Sequence, residues 1–241
     1  MTLSKNMKQP LISKKIVFLF GPPGAGKGTQ AELLADNLNL SYLESAKVIE
    51  SNIMQARESD FETFNGKKYS LAREKELWGK GILNTPEVVT VWFQRKIQEL
   101  AAENKSLVMT GFARTVYEAK TIIPLLKKLY GVKNVKVVLI TLSAKESIFR
   151  NSHRRICELM HHPVLYSKET IRLKYCTLDG SRLITRKGLD DPKTIKVRLK
   201  QYEERTLPVV QYLREEGFTI KKVNGEQSVV EVFKDILKVI K

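Results

Sequence analysis

A glycine-rich segment that contains a lysine and a threonine carries the strongest chemical signal in this sequence. It reads Gly21-Pro-Pro-Gly-Ala-Gly-Lys-Gly-Thr29 and directly follows a short apolar run. Glycines allow backbone N–H groups to converge on phosphate oxygens, and the start of a following helix adds positive potential. Lys27 would reach the terminal phosphates as a point charge, and the Thr29 hydroxyl suits a phosphate or a magnesium ion. The pattern predicts an ATP-binding loop made of Gly24, Ala25, Gly26, Lys27, Gly28 and Thr29.

The residues on either side of this loop predict the strand and the helix that a phosphate site requires. Ile16–Phe20 is a β-branched and aromatic run, which is typical of a buried parallel strand. Residues 26–37 place apolar side chains on one helical face. The competing interpretation is a glycine turn that merely closes a strand. We favour the phosphate site, because the strand, the loop, the lysine and the helix are all in register.

Strands and helices alternate along the rest of the chain. The predicted strands cover 40–43, 106–110, 135–141 and 218–223. The predicted helices cover 46–58, 67–80, 87–104, 116–130, 144–157, 193–216 and 228–241, and the one over 193–216 is expected to be interrupted near Pro208. Thr85 as N-cap and Pro86 at the first helical position mark the start of the third of these helices. The alternation predicts an α/β fold with a parallel sheet and helices on both faces.

Two stretches interrupt this alternation. Residues 45–85 are expected to be all helical between two strands. Residues 157–190 contain both cysteines and two of the three histidines, with few periodic apolar positions. We interpret both stretches as insertions at the open edge of the sheet, where ligands bind in folds of this class.

The composition excludes several classes of protein. The 42 lysines and arginines exceed the 26 acidic residues, for a net charge of +16, which favours a polyanionic partner. Two cysteines cannot form a disulfide-rich secreted scaffold, so a reducing compartment is expected. No apolar run approaches the roughly 20 residues of a membrane span. We expect a cytoplasmic protein with no membrane partner. Nucleic acid is not an expected partner either, because the lysines are spread over helices and no nucleic-acid motif is present.

Six parts of the chain together resemble the adenylate kinase family of nucleoside monophosphate kinases. The loop continues as Gly26-Lys-Gly-Thr-Gln30, and Thr110-Gly-Phe-Ala-Arg-Thr115 is similar to the DGFPRT segment of that family. Arg150, Arg154 and Arg155 resemble the family's R-x-x-x-R-R segment, Arg186 and Arg198 resemble two later arginines, and Val223-Asn-Gly225 resembles its last strand and turn. The resemblance runs from about residue 15 to residue 240. It implies a P-loop NTPase-type core (1–44, 86–156 and 187–241), a nucleoside monophosphate-binding insertion (45–85) and a lid (157–186).

This resemblance also implies a role for each cation. The implied catalytic residues are Lys27, Arg114, Arg150, Arg154, Arg186 and Arg198. Lys27, Arg150 and Arg154 would hold the phosphates of ATP, and Mg²⁺ would arrive with the ATP. The implied acceptor site consists of Ser45, Arg114, Glu118, Arg186 and Arg198. Arginine suits such work because its planar fork grips phosphate bidentately, although each of these arginines taken singly would more often be a solvated surface residue.

The acceptor side departs from the family pattern. The stretch Glu44-Ser-Ala-Lys-Val-Ile-Glu50 stands where the family reads S-T-G-D-x-x-R, so Lys47 replaces a carboxylate and Glu50 replaces an arginine. Glu118 replaces a glutamine that would read the adenine edge, and a carboxylate only accepts hydrogen bonds. Thr110 replaces an aspartate that orders magnesium-bound water. These changes favour a weaker enzyme or an acceptor other than AMP.

The lid stretch contains half of a metal motif. Cys157 and Cys176-Thr-Leu-Asp179 resemble the zinc-binding lids of bacterial relatives, except that Met160 replaces the second cysteine. The predicted zinc ligands are Cys157, His161, Cys176 and Asp179, with His162 as the alternative to His161. Two cysteines, a histidine and a carboxylate are acceptable tetrahedral ligands of zinc. The opposing interpretation is a lid that has lost its metal and keeps two buried cysteines.

The leading functional hypothesis is a monomeric phosphotransferase that converts ATP and AMP into two ADP molecules. Its expected partners are small-molecule nucleotides. Two alternatives stay open. The first is a catalytically weak or inactive nucleotide-binding paralogue, and the second is a kinase for an acceptor other than AMP.

Overall fold

A computed structural model describes residues 14–241, except 81, 187 and 189. Its strands are β1 (Ile16–Phe20), β2 (Ser41–Glu44), β3 (Phe61–Phe64), β4 (Lys67–Ser70), β5 (Leu107–Thr110), β6 (Val135–Thr141), β7 (Arg155–Cys157), β8 (Pro163–Val164), β9 (Leu183–Ile184) and β10 (Ile220–Asn224). Its α-helices are α1 (Lys27–Leu38), α2 (Ser45–Ile53), α3 (Leu71–Gly79), α4 (Pro86–Ala102), α5 (Val116–Tyr130), α6 (Ala144–Ser152), α7 (Pro192–Gln201), α8 (Leu207–Glu215) and α9 (Val229–Ile240).

A five-stranded parallel sheet forms the centre of the molecule, as the sequence predicts. The strand order is β10-β6-β1-β5-β2, and β1 is buried along its whole length. Successive side chains of β1 enter two different cores, because strand residues alternate between faces. Phe18 packs with residues of α2, α4, α5 and α8 on one face, whereas Leu19 packs with residues of α1 and α9 on the other. Because all five strands are parallel, they end at the same edge of the sheet, and the loops after β1, β2 and β5 lie together there.

The predicted helix 193–216 is broken into parts by a π-helical turn at Tyr202–Thr206 between α7 and α8. Pro208 lies directly after this turn. A proline lacks the N–H that would continue the α-helical hydrogen bonds, so the backbone before it adopts another pattern. The sequence predicts the interruption correctly, and the structure shows that it is a π-helical turn.

The prediction that 45–85 is all helical is wrong. Residues 61–70 form the antiparallel hairpin of β3 and β4, and the helix expected at 67–80 begins only at Leu71. The turn is Asn65-Gly66, where both residues have positive φ angles of 48° and 76°. An Asn-Gly pair between two short strands is a strong hairpin signal, and the helical periodicity of the flanking residues concealed it.

The helix predicted over 144–157 is also too long. It ends at Ser152, and Arg155–Cys157 becomes β7, the central strand of a small antiparallel sheet with the order β8-β7-β9. Because β7 pairs with β9, the two ends of the segment 157–184 lie side by side where it leaves and rejoins the rest of the chain. Among the described residues, no helix has the length and apolar character that crossing a bilayer requires.

Candidate functional site

The glycine-rich loop joins the end of β1 to the start of α1. Gly24 and Gly26 both have φ angles of +81°, a region that side-chain-bearing residues rarely adopt, and Gly26 is the N-cap of α1. A Cβ at Gly24 would lie 2.6 Å from Nδ2 of the fully buried Asn151. The loop can therefore pack against α6 only with glycine at this position. This contact ties the loop to the helix that leads into Arg154.

Lys27 turns back over the loop that precedes it. Its Nζ donates hydrogen bonds to the carbonyl oxygens of Gly21 at 2.7 Å and Pro22 at 2.9 Å. Burial, reinforced by the charges of Arg114, Arg198 and Arg154, lowers the pKa of Lys27 to about 7. The lysine thus lies among like charges with no carboxylate at hydrogen-bonding distance in the described chain, an environment that an anion would improve.

One cleft of about 940 Å³ is lined by every residue predicted for catalysis, ATP binding and acceptor binding. It is lined by the loop residues 24–29 and by all six predicted cations, Lys27, Arg114, Arg150, Arg154, Arg186 and Arg198. These cations come from segments that are far apart in sequence, and the sheet edge and the 157–186 segment bring them together. Several cations around one cleft suit the binding of a polyphosphate.

Arg114 is fixed by the loop that follows β5. Its Nε donates to the Gly111 carbonyl at 2.9 Å, and its Nη2 donates to Oγ of Ser45 at 3.1 Å. Gly111 has a φ angle of +74°, and a Cβ there would collide with the Ser45 hydroxyl. The predicted acceptor residues Ser45 and Arg114 are therefore in direct contact, although 69 positions separate them.

Glu118 helps to fix the start of α5. Thr115 is the N-cap of α5, and its Oγ1 accepts from the Glu118 N–H at 3.2 Å. In return, Oε2 of Glu118 accepts from the backbone N–H of Arg114 at 2.9 Å. The carboxylate lines the cleft yet is buried, and burial raises its pKa. This reciprocal arrangement resembles a capping box, which the Thr-x-x-Glu spacing could have revealed.

The remaining arginines each have a neighbour on their own side of the cleft. Arg150 bonds to Glu146 at 2.7 Å, Arg154 donates to the Asn151 side-chain oxygen at 2.7 Å, and Arg186 makes two hydrogen bonds to the buried Asp190 at 2.9 and 2.6 Å. Burial, followed by the charge of Arg186, lowers the pKa of Arg154 and of Arg198 to about 10. Mutual repulsion and burial therefore favour an anion among these side chains.

The part of the cleft beside β2 and α2 is more mixed in charge than the part lined by Arg150, Arg154, Arg186 and Arg198. Glu44, Lys47 and Glu50 line it, and burial is the main cause of the raised pKa of Glu44. Thr110 is buried, and its Oγ1 lies 3.1 Å from the Tyr42 hydroxyl, so the threonine is already partnered. Sequence reasoning did not single out Tyr42. Its place near the carboxyl end of β2, at the same sheet edge as the loop, was the available signal.

A four-residue group with metal-ligand chemistry lies in the 157–186 segment. Ligand atoms of Cys157, His162, Cys176 and Asp179 lie within 4.8 Å of one another. Nδ1 of His162 is 2.9 Å from Sγ of Cys157, and Nε2 is 3.0 Å from Sγ of Cys176. The histidine of the group is therefore His162, whereas His161, which the sequence put first, lies outside it. His161 has a φ angle of 56°, and this left-handed turn of the chain precedes the histidine that joins the group.

The comparisons with known proteins agree with this geometry. The family model described as adenylate kinase matches residues 19–218. An adenylate kinase of Chloroherpeton thalassium is 31% identical over 227 residues, which cover 93% of this chain and 97% of the relative. An adenylate kinase of Clostridium acetobutylicum is also 31% identical, over 93% of this chain and 98% of the relative, and one of Caldicellulosiruptor saccharolyticus is 29% identical over similar shares. With its phosphate loop, parallel sheet and cation-lined cleft, the chain belongs to the adenylate kinase family of phosphotransferases.

Proposed function

We propose that the protein is a nucleoside monophosphate kinase that transfers the γ-phosphoryl group of ATP to AMP and yields two ADP molecules. An oxygen of the AMP phosphate would form a bond to the γ-phosphorus while the bond to the β–γ bridging oxygen breaks. The observation that carries the proposal is that Lys27 and five arginines, drawn from five separate segments of the chain, line one cleft beside the phosphate loop. Positioning and charge stabilisation supply nearly all of the catalysis in such a reaction.

Each cation has a role that follows from its position. Lys27 would hold the terminal phosphates of ATP, with Arg150 and Arg154 steadying them from the helix and turn before β7. Arg114, held against Ser45, would contact the acceptor phosphate. Arg186 and Arg198 would stabilise the group in transfer and contact the acceptor. When bound with ATP, Mg²⁺ would neutralise phosphate charge, and the hydroxyl of Thr29 and the carboxylates of Glu32 and Glu44, which all line the cleft, are oxygen ligands of the kind that it prefers.

We propose that residues 45–85 bind the acceptor and that residues 157–186 act as a lid over the core formed by 1–44, 86–156 and 187–241. Both segments contribute residues to the cleft, and the first of them begins directly after β2. Closing them over the substrates would exclude water from the transferring group.

A coupled assay with ATP and each of AMP, GMP, CMP and UMP tests the function. We expect ADP formation with AMP, and we expect Lys27→Ala to lower kcat by at least about 100-fold through loss of a transition-state cation. Lys75→Ala, which changes an exposed lysine outside the cleft, is the matched control. Absence of turnover with every acceptor would contradict the proposal.

A kinase for another monophosphate is the second candidate, and the carboxylates of Glu50 and Glu118 in the cleft favour it. The same assay separates the two, because this candidate predicts turnover with GMP, CMP or UMP that exceeds turnover with AMP. ATP binding without any turnover would instead support the inactive paralogue.

We further propose that Cys157, His162, Cys176 and Asp179 hold a structural zinc ion. Two thiols, an imidazole and a carboxylate suit tetrahedral zinc, and Oδ2 of Asp179 is buried with no hydrogen-bond partner among the described residues. A bound metal ion would satisfy that oxygen. It would also join the stretch that contains Cys157 and His162 to the stretch that contains Cys176 and Asp179.

Metal analysis of protein purified without chelators tests the zinc site. We expect about one zinc ion per chain, lost in His162→Ala because a four-ligand structural site rarely tolerates the loss of one ligand. The adjacent His161→Ala is the control and should keep its zinc. Zinc content near zero in the unmodified protein would exclude the site.

A further inference from the structure

Lys47 lies in the first turn of α2, at the acceptor side of the cleft. The lysine is exposed and lines the cleft. Its Nζ lies 5.7 Å from the centroid of the Tyr42 ring. Among the described residues, its ammonium group makes no hydrogen bond and no ion pair within 4.0 Å, so it retains its full capacity to donate to a ligand.

The other cleft cations differ from Lys47 in this respect. Lys27 is bonded to two backbone carbonyls, Arg114 to Gly111 and Ser45, and Arg150 and Arg186 to carboxylates. Within the described residues, Lys47 is also the one cation that the 45–85 segment contributes to the lining of the cleft. The acceptor side therefore receives its positive charge from Arg114, on the β5 side, and from Lys47, on the α2 side.

Glu44 connects these two cations electrostatically. Its carboxylate is stabilised by the charges of both Lys47 and Arg114, and the charges of Glu50 and Glu32 oppose its ionisation. Glu44 and Thr110 are register partners in neighbouring strands, so Lys47 and Arg114 flank the same edge of the sheet. A phosphate dianion placed there would have a cation on each side. Without these two cations, it would face only the repulsion of the carboxylates.

We propose that Lys47 is an acceptor-binding residue that holds the phosphate of the nucleoside monophosphate opposite Arg114. This proposal rests on the proposed function and names a residue of that same site. Glu50 follows Lys47 by three positions and lies on the same face of α2. In the family pattern S-T-G-D-x-x-R, the carboxylate comes first and the arginine follows three positions later. This chain has a cation and a carboxylate at the same two positions in the reverse order, so its cation lies one turn closer to β2.

Steady-state kinetics of Lys47→Ala, with Lys47→Arg and Lys75→Ala alongside, test the proposal. We expect Lys47→Ala to raise the KM for AMP about tenfold or more, because one charge-assisted hydrogen bond to phosphate is lost. The KM for ATP and kcat should change less than about threefold, since the phosphate contact is made in the ground state and the transition state alike. Lys47→Arg should keep the KM for AMP near its original value, and Lys75→Ala should leave every constant unchanged.

Glu50→Arg in the Lys47→Ala background adds a second readout. A cation one turn further along the same face should recover at least part of the affinity for AMP, an outcome that a merely structural role of Lys47 would not produce. An unchanged KM for AMP in Lys47→Ala, in an enzyme that turns over AMP normally, would overturn this proposal and leave the proposed function intact.

Calorimetric titration with AMP, GMP, CMP and UMP covers the case without turnover. If the protein binds a monophosphate, Lys47→Ala should weaken that binding about tenfold, and equal binding by both forms would overturn the proposal. If no monophosphate binds at all, the proposal and the proposed function both fall.

Discussion

At the scale of single residues, the protonation state of Lys27 is set by its surroundings. Burial is the largest cause of its pKa of about 7, and Arg114, Arg198 and Arg154 add repulsion. A bound triphosphate would reverse these effects, because an adjacent anion stabilises the ammonium form. The ligand-free lysine is therefore largely neutral at pH 8 and largely charged below pH 6.

Binding of Mg·ATP at pH 8 should accordingly take up most of one proton per site, whereas Lys27 should contribute almost none at pH 5.5. Calorimetry in buffers with different ionisation enthalpies measures this uptake. Lys27→Met should abolish the uptake at pH 8, and Lys75→Met should preserve it. The same proton count at both pH values would contradict the assigned pKa.

Stability should follow the same titration. A lysine with a lowered pKa binds fewer protons when folded than when unfolded, so its unfavourable contribution is greatest below pH 7 and decreases as the pH rises toward 10.5. This strained lysine is a residue-scale feature typical of functional sites, where groups are held away from their ordinary pKa.

At the scale of elements, a buried carboxylate joins α3 to α4. Oε2 of Glu74 accepts from Nδ2 of Asn84 and from the backbone N–H of Thr85, both at 2.9 Å, and Oε1 accepts from the Thr85 hydroxyl. Thr85 is the N-cap of α4, as the sequence predicts, but its hydroxyl donates to Glu74 and makes no side-chain cap. This network holds the end of the 45–85 segment to the core.

Glu74→Ala should therefore lower the free energy of unfolding by about 2–4 kcal/mol, because it removes the carboxylate that accepts from the buried Asn84 amide and from the partly buried N–H and hydroxyl of Thr85. Chemical denaturation measures the change. Glu76→Ala, on the exposed face of the same helix, should lower the free energy of unfolding far less, because its partner Lys80 is also exposed to solvent. If the two substitutions lowered the free energy of unfolding equally, the buried network around Glu74 would add no more stability than an exposed ion pair.

At the scale of the whole molecule, the net charge of +16 is partly concentrated in one cleft. Mutual repulsion among these cations opposes their close approach in the folded chain, and a bound polyphosphate would remove that repulsion. Ligand binding and thermal stability should consequently be coupled, and the coupling should weaken as salt screens the charges.

ATP at 100 times its Kd should raise the Tm by roughly 5–10 °C, which corresponds to about 2.7 kcal/mol of linkage in a chain of this length. Differential scanning fluorimetry measures the shift. A single-stranded RNA at equal phosphate concentration is the control and should have little effect. A larger shift with RNA than with ATP would contradict the prediction that nucleic acid is not a partner.

Local residue patterns determined the parts of this protein whose chemistry lies within one short segment. The phosphate loop is one example. Gly24 and Gly26 supply positive φ angles and Lys27 supplies a charge, and all three lie within four consecutive residues. The bounds of α5 and β6 are another, since apolar periodicity and Gly131 fix both elements. The monomeric state and the cytoplasmic location stay predictions.

Only the tertiary structure decided which distant side chains meet. It paired Ser45 with Arg114, turned Glu118 back onto the start of α5, and placed His162 rather than His161 between the two cysteines. It also left Lys47 facing the cleft without a bonded partner in the described chain. The physical reason is that a sequence fixes which groups are present and how each segment coils. The distances between segments, which set hydrogen bonds and charge interactions, exist only once the sheet has brought their ends to one edge.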